Sequence, residues 1–325
     1  MREFKYILIL LAAVVTLNVN AQQQRPIQSL YMFDQLLINP AYAGTQVQFS
    51  ATSIYRNQWV NLEGAPETFT FTAQSSVNRG KMGTGLIIHK DALGVHTDLG
   101  LYATGSYMLP MPVGKLYFGL QAGFNDVGSD FRKTTVPSAG TGANGGIDGA
   151  SDPFYTATSA FNWNFGSGFF YTNREFYAGF SVPYLLDNDI IQDVEDDSFT
   201  GILSETIRNT RTYYLTLGNT YGFSPDFKII ASTLMRVQEG APFSFDVNAT
   251  GVFKETVGLG LSYRLKEGFV YLFELKINEN FHVGYAYDMT VSALNTVSQG
   301  SHEFMLNYRI KIPRLHKGLE CPSYF

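Results

Sequence analysis

About fourteen segments of this chain alternate apolar and polar residues with a period of two, and no sustained helical periodicity competes with them. A β-strand sends successive side chains to opposite faces, so each such segment has one apolar and one mostly polar wall. Near the C-terminus, Phe304, Leu306, Tyr308, Ile310 and Ile312 form one face, and Glu303, Met305, Asn307, Arg309 and Lys311 form the other. Phe269, Tyr271, Phe273, Leu275 and Ile277 repeat the pattern opposite Glu274 and Lys276. Phe243, Phe245, Val247 and Ala249 oppose Ser244, Asp246, Asn248 and Thr250, and Leu116, Phe118, Leu120, Ala122 and Phe124 form a further apolar stripe.

The alternation predicts strands over 46–57, 67–77, 82–90, 97–108, 115–126, 157–170, 175–183, 211–223, 227–237, 243–253, 256–265, 268–277, 281–289 and 302–312. An even count of strands near ten residues suits tilted crossings of a bilayer. The connections separate into two classes. Those after even strands are brief, such as Lys254-Glu255 and Ser224-Pro225-Asp226, whereas the long ones, about 127–156, 184–210 and 290–301, all follow odd strands. One trimmed and one elaborated rim is the signature of a transmembrane, antiparallel, up-and-down all-β barrel. A soluble β-sandwich would leave many Phe and Tyr stripes in water. The low charged fraction (16%) and high aromatic fraction (15%) agree with a lipid-facing exterior.

The rest of the chain divides around the barrel, which takes residues 46–312. Arg2 and Lys5, the apolar run Tyr6 to Leu17 and the small residues near Ala21 make residues 1–21 a signal peptide, with the cut expected before Gln22. Residues 22–45 precede the first strand. Tyr31, Met32, Phe33, Leu36, Leu37 and Ile38 make this segment too apolar for a free tail, and Pro40 fixes its own backbone and extends Asn39. A periplasmic latch or a luminal plug is therefore expected; a plain structural tuck is the alternative. Residues 313–325 leave as a periplasmic tail that is basic over Arg314, His316 and Lys317 and carries the lone Cys321.

Two motif series in this region are similar to those of a known family. Tyr31-Met32-Phe33-Asp34-Gln35-Leu36-Leu37-Ile38-Asn39-Pro40-Ala41-Tyr42-Ala43-Gly44 is followed by Tyr55-Arg56-Asn57-Gln58-Trp59 and by Gly64-Ala65-Pro66-Glu67-Thr68. This order resembles the PorP/SprF family of Bacteroidetes outer-membrane proteins, with departures at Leu30, Asp34 and Gln35. The resemblance implies a bacterial outer-membrane barrel of the type IX secretion system. Its expected partners are secreted surface proteins or adhesins, some linked to gliding, other secretion components, and a peptidoglycan-binding periplasmic protein. It also makes Tyr31, Met32, Phe33, Leu37, Asn39, Pro40, Ala41, Tyr42, Gly44, Tyr55, Arg56 and Trp59 candidates for partner binding or plugging. A FadL-like channel for hydrophobic small molecules is the competing reading, because that family also combines about fourteen strands, an N-terminal plug and an Asn-Pro-Ala segment.

Little else in the sequence carries chemistry. The five histidines form no metal-ligand motif, and no glycine loop is built to cradle phosphate. Asp91 and His96 are expected to share a loop, but no nucleophile motif accompanies them, so no catalytic residue, metal or cofactor is assigned. The acidic stretch 187–197 matches no EF-hand spacing and reads as a solvated loop. A net charge of -5 gives no basic surface for nucleic acid. The lumen-facing charges Asp246, Arg264, Glu274, Lys276, Asp288, Glu303, Arg309 and Lys311 mix signs on neighbouring strands and are expected to pair across them, as a polar lining or as a recognition surface.

Overall fold

The computed structural model of the chain describes residues 27–46, 48–133, 157–194, 203–291 and 296–311. The proposed signal peptide, the glycine-rich stretch 139–152, Glu195, Asp196, Asp197 and the tail with Cys321 lie outside them. Among the described residues there are sixteen strands: β1 Gln48–Asn57, β2 Glu67–Val77, β3 Met82–Leu93, β4 His96–Pro110, β5 Lys115–Asp130, β6 Ala157–Thr172, β7 Phe176–Val182, β8 Asn188–Val194, β9 Leu203–Asn209, β10 Thr212–Ser224, β11 Phe227–Gln238, β12 Ser244–Phe253, β13 Val257–Arg264, β14 Gly268–Lys276, β15 Phe281–Thr290 and β16 Ser301–Lys311. Fourteen of them form a closed antiparallel barrel in the order β1-β16-β15-β14-β13-β12-β11-β10-β7-β6-β5-β4-β3-β2, while β8 and β9 pair only with each other.

Closure is made by β1, which pairs with β16 through Arg56↔Glu303 and Tyr55↔Phe304 and with β2 through Tyr55↔Phe69. In hydrocarbon every backbone N–H and C=O needs a partner, so a sheet with free edges is not an available solution. The alternation then sets what each face meets. Phe304, Leu306 and Ile310, Phe269, Tyr271 and Phe273, and Leu259, Leu261 and Tyr263 all point outward and are exposed, while Glu303, Asn307, Glu274, Ser262 and Arg264 between them are buried on the luminal side. No helix among the described residues is long and apolar enough to cross a membrane; the crossing is made by strands.

The two rims differ as the connection lengths foretell. At the short-turn rim, Lys254 and Glu255 both take positive φ (48° and 49°), the backbone of a primed two-residue hairpin turn. At the long-loop rim, residues 58–66 fold over the barrel edge, where Val60 N–H donates to Gly300 O at 2.9 Å and Gln299 N–H donates to Val60 O at 3.0 Å. Two expectations need correction. The connection containing the acidic stretch is not wholly loop: Asn188–Val194 pairs with Leu203–Asn209 in an antiparallel hairpin with Ile190 in register with Ile207, strands that the acidic composition masks. Asp91 and His96 do not share a loop either. β3 and β4 run on until Leu93 pairs with His96, which places both residues in strands.

A charge on the outward face has no partner in hydrocarbon. We expect Leu261→Arg, near the middle of β13 with its side chain 47% exposed, to destabilise the folded barrel by about 2–4 kcal/mol, measured by denaturant titration in lipid vesicles. The inward neighbour Ser262 faces the lumen, and Ser262→Ala should cost less than a third as much.

Candidate functional site: the occupied lumen

Residues 27–46 lie inside the barrel. The segment is built from single turns, in which Phe33 N–H donates to Leu30 O (3.0 Å), Ile38 N–H to Gln35 O (3.1 Å) and Tyr42 N–H to Asn39 O (3.0 Å). Two of these turns are 3-10 helices, Gln35–Leu37 and Pro40–Tyr42. Each is capped by a side chain at its start: Asp34 accepts from Leu36 N–H at 3.2 Å, and Asn39 accepts from Ala41 N–H at 2.9 Å. Asp and Asn are favoured at such positions because their short acceptors reach backbone N–H groups two residues on. Pro40, with φ already fixed and no N–H to leave unpaired, suits the first position of the second turn.

The segment traverses the lumen from one end to the other. Its early part lies near the long-loop rim, at the level of Arg56, Glu303 and Asp288. Its last residues reach the short-turn rim, where Ser106 Oγ donates to Ala43 O at 2.5 Å and Gly44 N–H donates to Gln74 Oε1 at 3.2 Å. Ile27, Leu30, Tyr31, Met32, Phe33 and Ile38 pack against inward apolar residues of the wall, Ile54, Ile230, Leu234, Val252, Val270, Leu272 and Met305. Leu36, Ala41, Tyr42 and Ala43 pack against Ile87, Tyr102, Tyr117, Phe170 and Tyr177. Tyr42 meets the Phe170 ring edge-on, with centroids 5.3 Å apart.

Two features of the wall hold this segment. The first is a set of glycines on the inward faces of β3, β5, β6 and β7. A Cβ on Gly83 would stand 2.0 Å from Ala43 O, one on Gly119 would stand 2.1 Å from Ala41 N, one on Gly168 would stand 2.3 Å from Asn39 Oδ1, and one on Gly179 would stand 2.9 Å from Asn39 Nδ2. Here the barrel wall is bare backbone so that the Asn39–Gly44 turn can lie against it. Asn39 Nδ2 donates to Phe169 O at 3.0 Å and Ser181 Oγ donates to Ile38 O at 2.5 Å from the same wall.

The second is a buried ionic network at the other end of the segment. Arg264 bonds Asp246 at 3.1 Å, lies 4.0 Å from Asp288 and bonds Glu267 at 3.3 Å. Arg56 bonds Asp288 at 2.7 Å and also pairs with Glu303. Asp246↔Arg264 and Arg56↔Glu303 are direct cross-strand neighbours. The Glu303 carboxylate then accepts from two successive backbone N–H groups, Ser29 at 2.6 Å and Leu30 at 2.9 Å, and Ser29 Oγ donates to Asp288 at 2.9 Å. Between the two anchors, Asp34 accepts from the Thr72 hydroxyl and from Gln74 Nε2. Tyr31 OH accepts from Asn248 Nδ2 at 2.7 Å.

The candidate residues therefore divide. Tyr31, Met32, Phe33, Asn39, Pro40, Ala41, Tyr42 and Gly44 are buried in the lumen together and Leu37 is partly buried there. Of the second motif only Arg56 joins them: Tyr55 points outward on β1, and Trp59 sits in the β1–β2 connection, its backbone N–H donating to Ser301 Oγ at 3.2 Å. Among the charges, Asp246, Arg264, Asp288 and Glu303 form the network. Glu274 and Arg309 are buried nearer the short-turn rim, with the Glu274 carboxylate 3.8 Å from His282 Nδ1. Lys276 lies at its strand end, paired with Glu279 at 3.0 Å, and the Lys311 side chain lies outside the described residues. Sequence reading missed Ser29, Asp34 and the glycine seat. It also missed the inward apolar residues, although the run Phe269–Leu275, apolar on both faces except at Glu274, signalled an interior that something apolar fills. Of the two residues expected to share a loop, Asp91 accepts from Thr68 Oγ1 at 2.5 Å and His96 Nδ1 lies 2.8 Å from Ser129 Oγ. No group of three His, Cys, Asp or Glu side chains among the described residues could hold a metal ion.

A family model described as type IX secretion system membrane protein PorP/SprF matches residues 20–308. The chain belongs to that family. The match spans the luminal segment and all but the last residues of the barrel, and with the apolar exterior of a closed fourteen-strand sheet it places the protein in the outer membrane. No curated protein matches the chain. Solved structures that it resembles include the outer membrane protein Omp33 of Acinetobacter baumannii (8% identity, covering 82% of this chain and 100% of that one, TM-score 0.45) and the toluene transporter TodX of Pseudomonas putida (11%, 90% and 96%, 0.47). A FadL homologue of Pseudomonas aeruginosa is a third (12%, 88% and 95%, 0.42). Family and fold are those of a secretion-system barrel rather than of an enzyme, and the family implies other secretion components as partners.

Two substitutions separate the anchors. Gly119→Val should overpack the seat by about 1–3 kcal/mol and expose residues 27–46 to hydrogen exchange, whereas Gly105→Ala, whose Cβ meets nothing within 4 Å, should leave their protection unchanged. Arg56→Met leaves Asp288 and Glu303 without their shared cation. We expect a loss of about 3–5 kcal/mol in barrel unfolding, read by the temperature at which the folded band disappears in gel electrophoresis. A shift no larger than that of Tyr55→Met would show that the network contributes nothing.

Proposed function

We propose that this chain is a non-enzymatic component of the type IX secretion system that receives, shuttles or anchors secreted surface proteins of the adhesin type. In this reading the long-loop rim faces the cell surface and meets the secreted protein. The short-turn rim faces the periplasm, where the turns and the 313–325 tail are available to a peptidoglycan-binding partner. The family match over residues 20–308 is the observation that carries the proposal. The occupied lumen supports it, because a barrel packed along its length by its own apolar segment is suited to holding polypeptide rather than to conducting solute.

A FadL-like channel for hydrophobic small molecules is the rival reading, and the same apolar packing weighs against it. Deleting the gene should abolish surface display of at least one secreted protein while leaving the others in place. Unchanged display of every secreted protein, together with hydrocarbon flux through the purified barrel in liposomes, would transfer the assignment to the channel.

A further inference from the structure

The luminal segment has an unusual relation to the wall around it. It adds no strand to the barrel: the closing pairs β1↔β16 and β1↔β2 are complete without it, and its internal hydrogen bonds run within its own turns. It could leave without breaking a single ladder bond. What the wall offers it is also distinctive. Glu303 takes the backbone N–H groups of Ser29 and Leu30, Ser181 and Ser106 donate to the carbonyls of Ile38 and Ala43, and Gln74 accepts from the Gly44 N–H. These groups address main chain, so they recognise a polypeptide whatever side chains it carries at those positions.

Selectivity comes from the remainder of the seat. The bare backbone at Gly119 and Gly168 admits only a turn with small residues, as Asn39-Pro40-Ala41 provides, and the upper lumen takes large apolar side chains. The wall also has polar capacity that the segment does not use. The buried Thr104 and Thr250 hydroxyls and both carboxylate oxygens of Glu274 have no hydrogen-bond partner among the described residues. Unused donors and acceptors in a closed interior are costly.

We propose that the lumen is a polypeptide-binding channel whose resting occupant is residues 27–46, and that a segment of a secreted protein folded in similar turns takes their place. The entering segment has the chemistry the wall selects: two consecutive free N–H groups for Glu303, large apolar side chains, then a tight turn of Asn-Pro type followed by small residues. This inference rests on the secretion reading above for the source of the segment. The channel itself can be tested apart from it.

The probe is a fluorescent synthetic peptide of residues 27–46, added to the detergent-solubilised full-length protein. Ala41→Arg alters the resident segment and leaves the wall intact. It should unseat the resident turn at Gly119 and let the folded protein take up one peptide per barrel, at least tenfold more tightly than the wild type, whose channel is filled. Combining it with Gly119→Val should abolish uptake, and a peptide carrying the same Arg or a scrambled order should not enter. Folded barrels are verified by their gel mobility before and after heating. Should Ala41→Arg fail to assemble, Asn39→Ala loosens the seat without adding bulk and takes its place. Folded variants that take up no peptide, or that bind the scrambled peptide equally well, would overturn the channel. Peptide uptake together with normal surface display in the deletion strain would retain the channel and discard a secreted protein as its guest.

Discussion

The pairing of β1 with β16 is the constraint from which the rest follows. A sheet in hydrocarbon has no water to satisfy an open edge, so the fourteenth strand must return to the first. Once it does, the period of two assigns every second residue to lipid and every other one to an enclosed interior. An interior of this size, lined by fourteen strands, is wider than its own side chains fill. Something must occupy it: water in an open pore, or protein. Inward-facing Ile54, Leu234, Val270 and Leu272 make water a poor occupant for the half towards the long-loop rim, and the chain supplies residues 27–46 instead.

How the segment is held reflects two kinds of physics at its two ends. At the short-turn end the contact is steric and made by omission, since glycines withdraw side chains so that two backbones can touch. At the long-loop end it is electrostatic. Arg264 pairs with Asp246 and lies near Asp288, Arg56 bridges Asp288 and Glu303 on the adjacent strands β15 and β16, and the segment's N–H groups complete the coordination of Glu303. A buried ionic network is weak evidence for stability, because desolvation offsets much of the attraction. It does discriminate strongly between registers. A segment displaced along the lumen would take the Ser29 and Leu30 N–H groups off Glu303 and the Ser29 hydroxyl off Asp288. The glycine seat fixes one end of the segment and the carboxylate clamp fixes the other, leaving the apolar middle to adapt.

Much of this was legible in the sequence and some was not. The outward stripes of β12 to β16 are read directly because lipid demands uniformly apolar residues on one face, a pattern a single sequence displays. The fourteen barrel strands follow for the same reason, including the separation of short and long connections. The β8–β9 hairpin did not, because a two-stranded ribbon with acidic residues on both strands lacks the one-sided hydrophobicity that marks the others. The luminal face is harder in principle. Its residues are chosen to fit an occupant, and Ile230 beside Ser232 or Gly119 beside Gln121 is explicable only once the occupant is in place. Arg56 illustrates the limit: its motif marks it out, but its role as the link between Asp288 and Glu303 depends on strands far apart in sequence that meet through closure.

The same closure explains why the wall and its occupant are separable. In most globular folds a buried segment contributes to the ladder or bundle that surrounds it, so removing it destroys its own binding site. Here the ladder is complete around the circumference, and the segment's bonds are either internal turns or side-chain contacts from the wall. Stability of the container and affinity for the contents are then largely independent quantities. A receptor for polypeptide needs this independence, and a closed sheet in lipid, with its edges already satisfied, provides it without any further device.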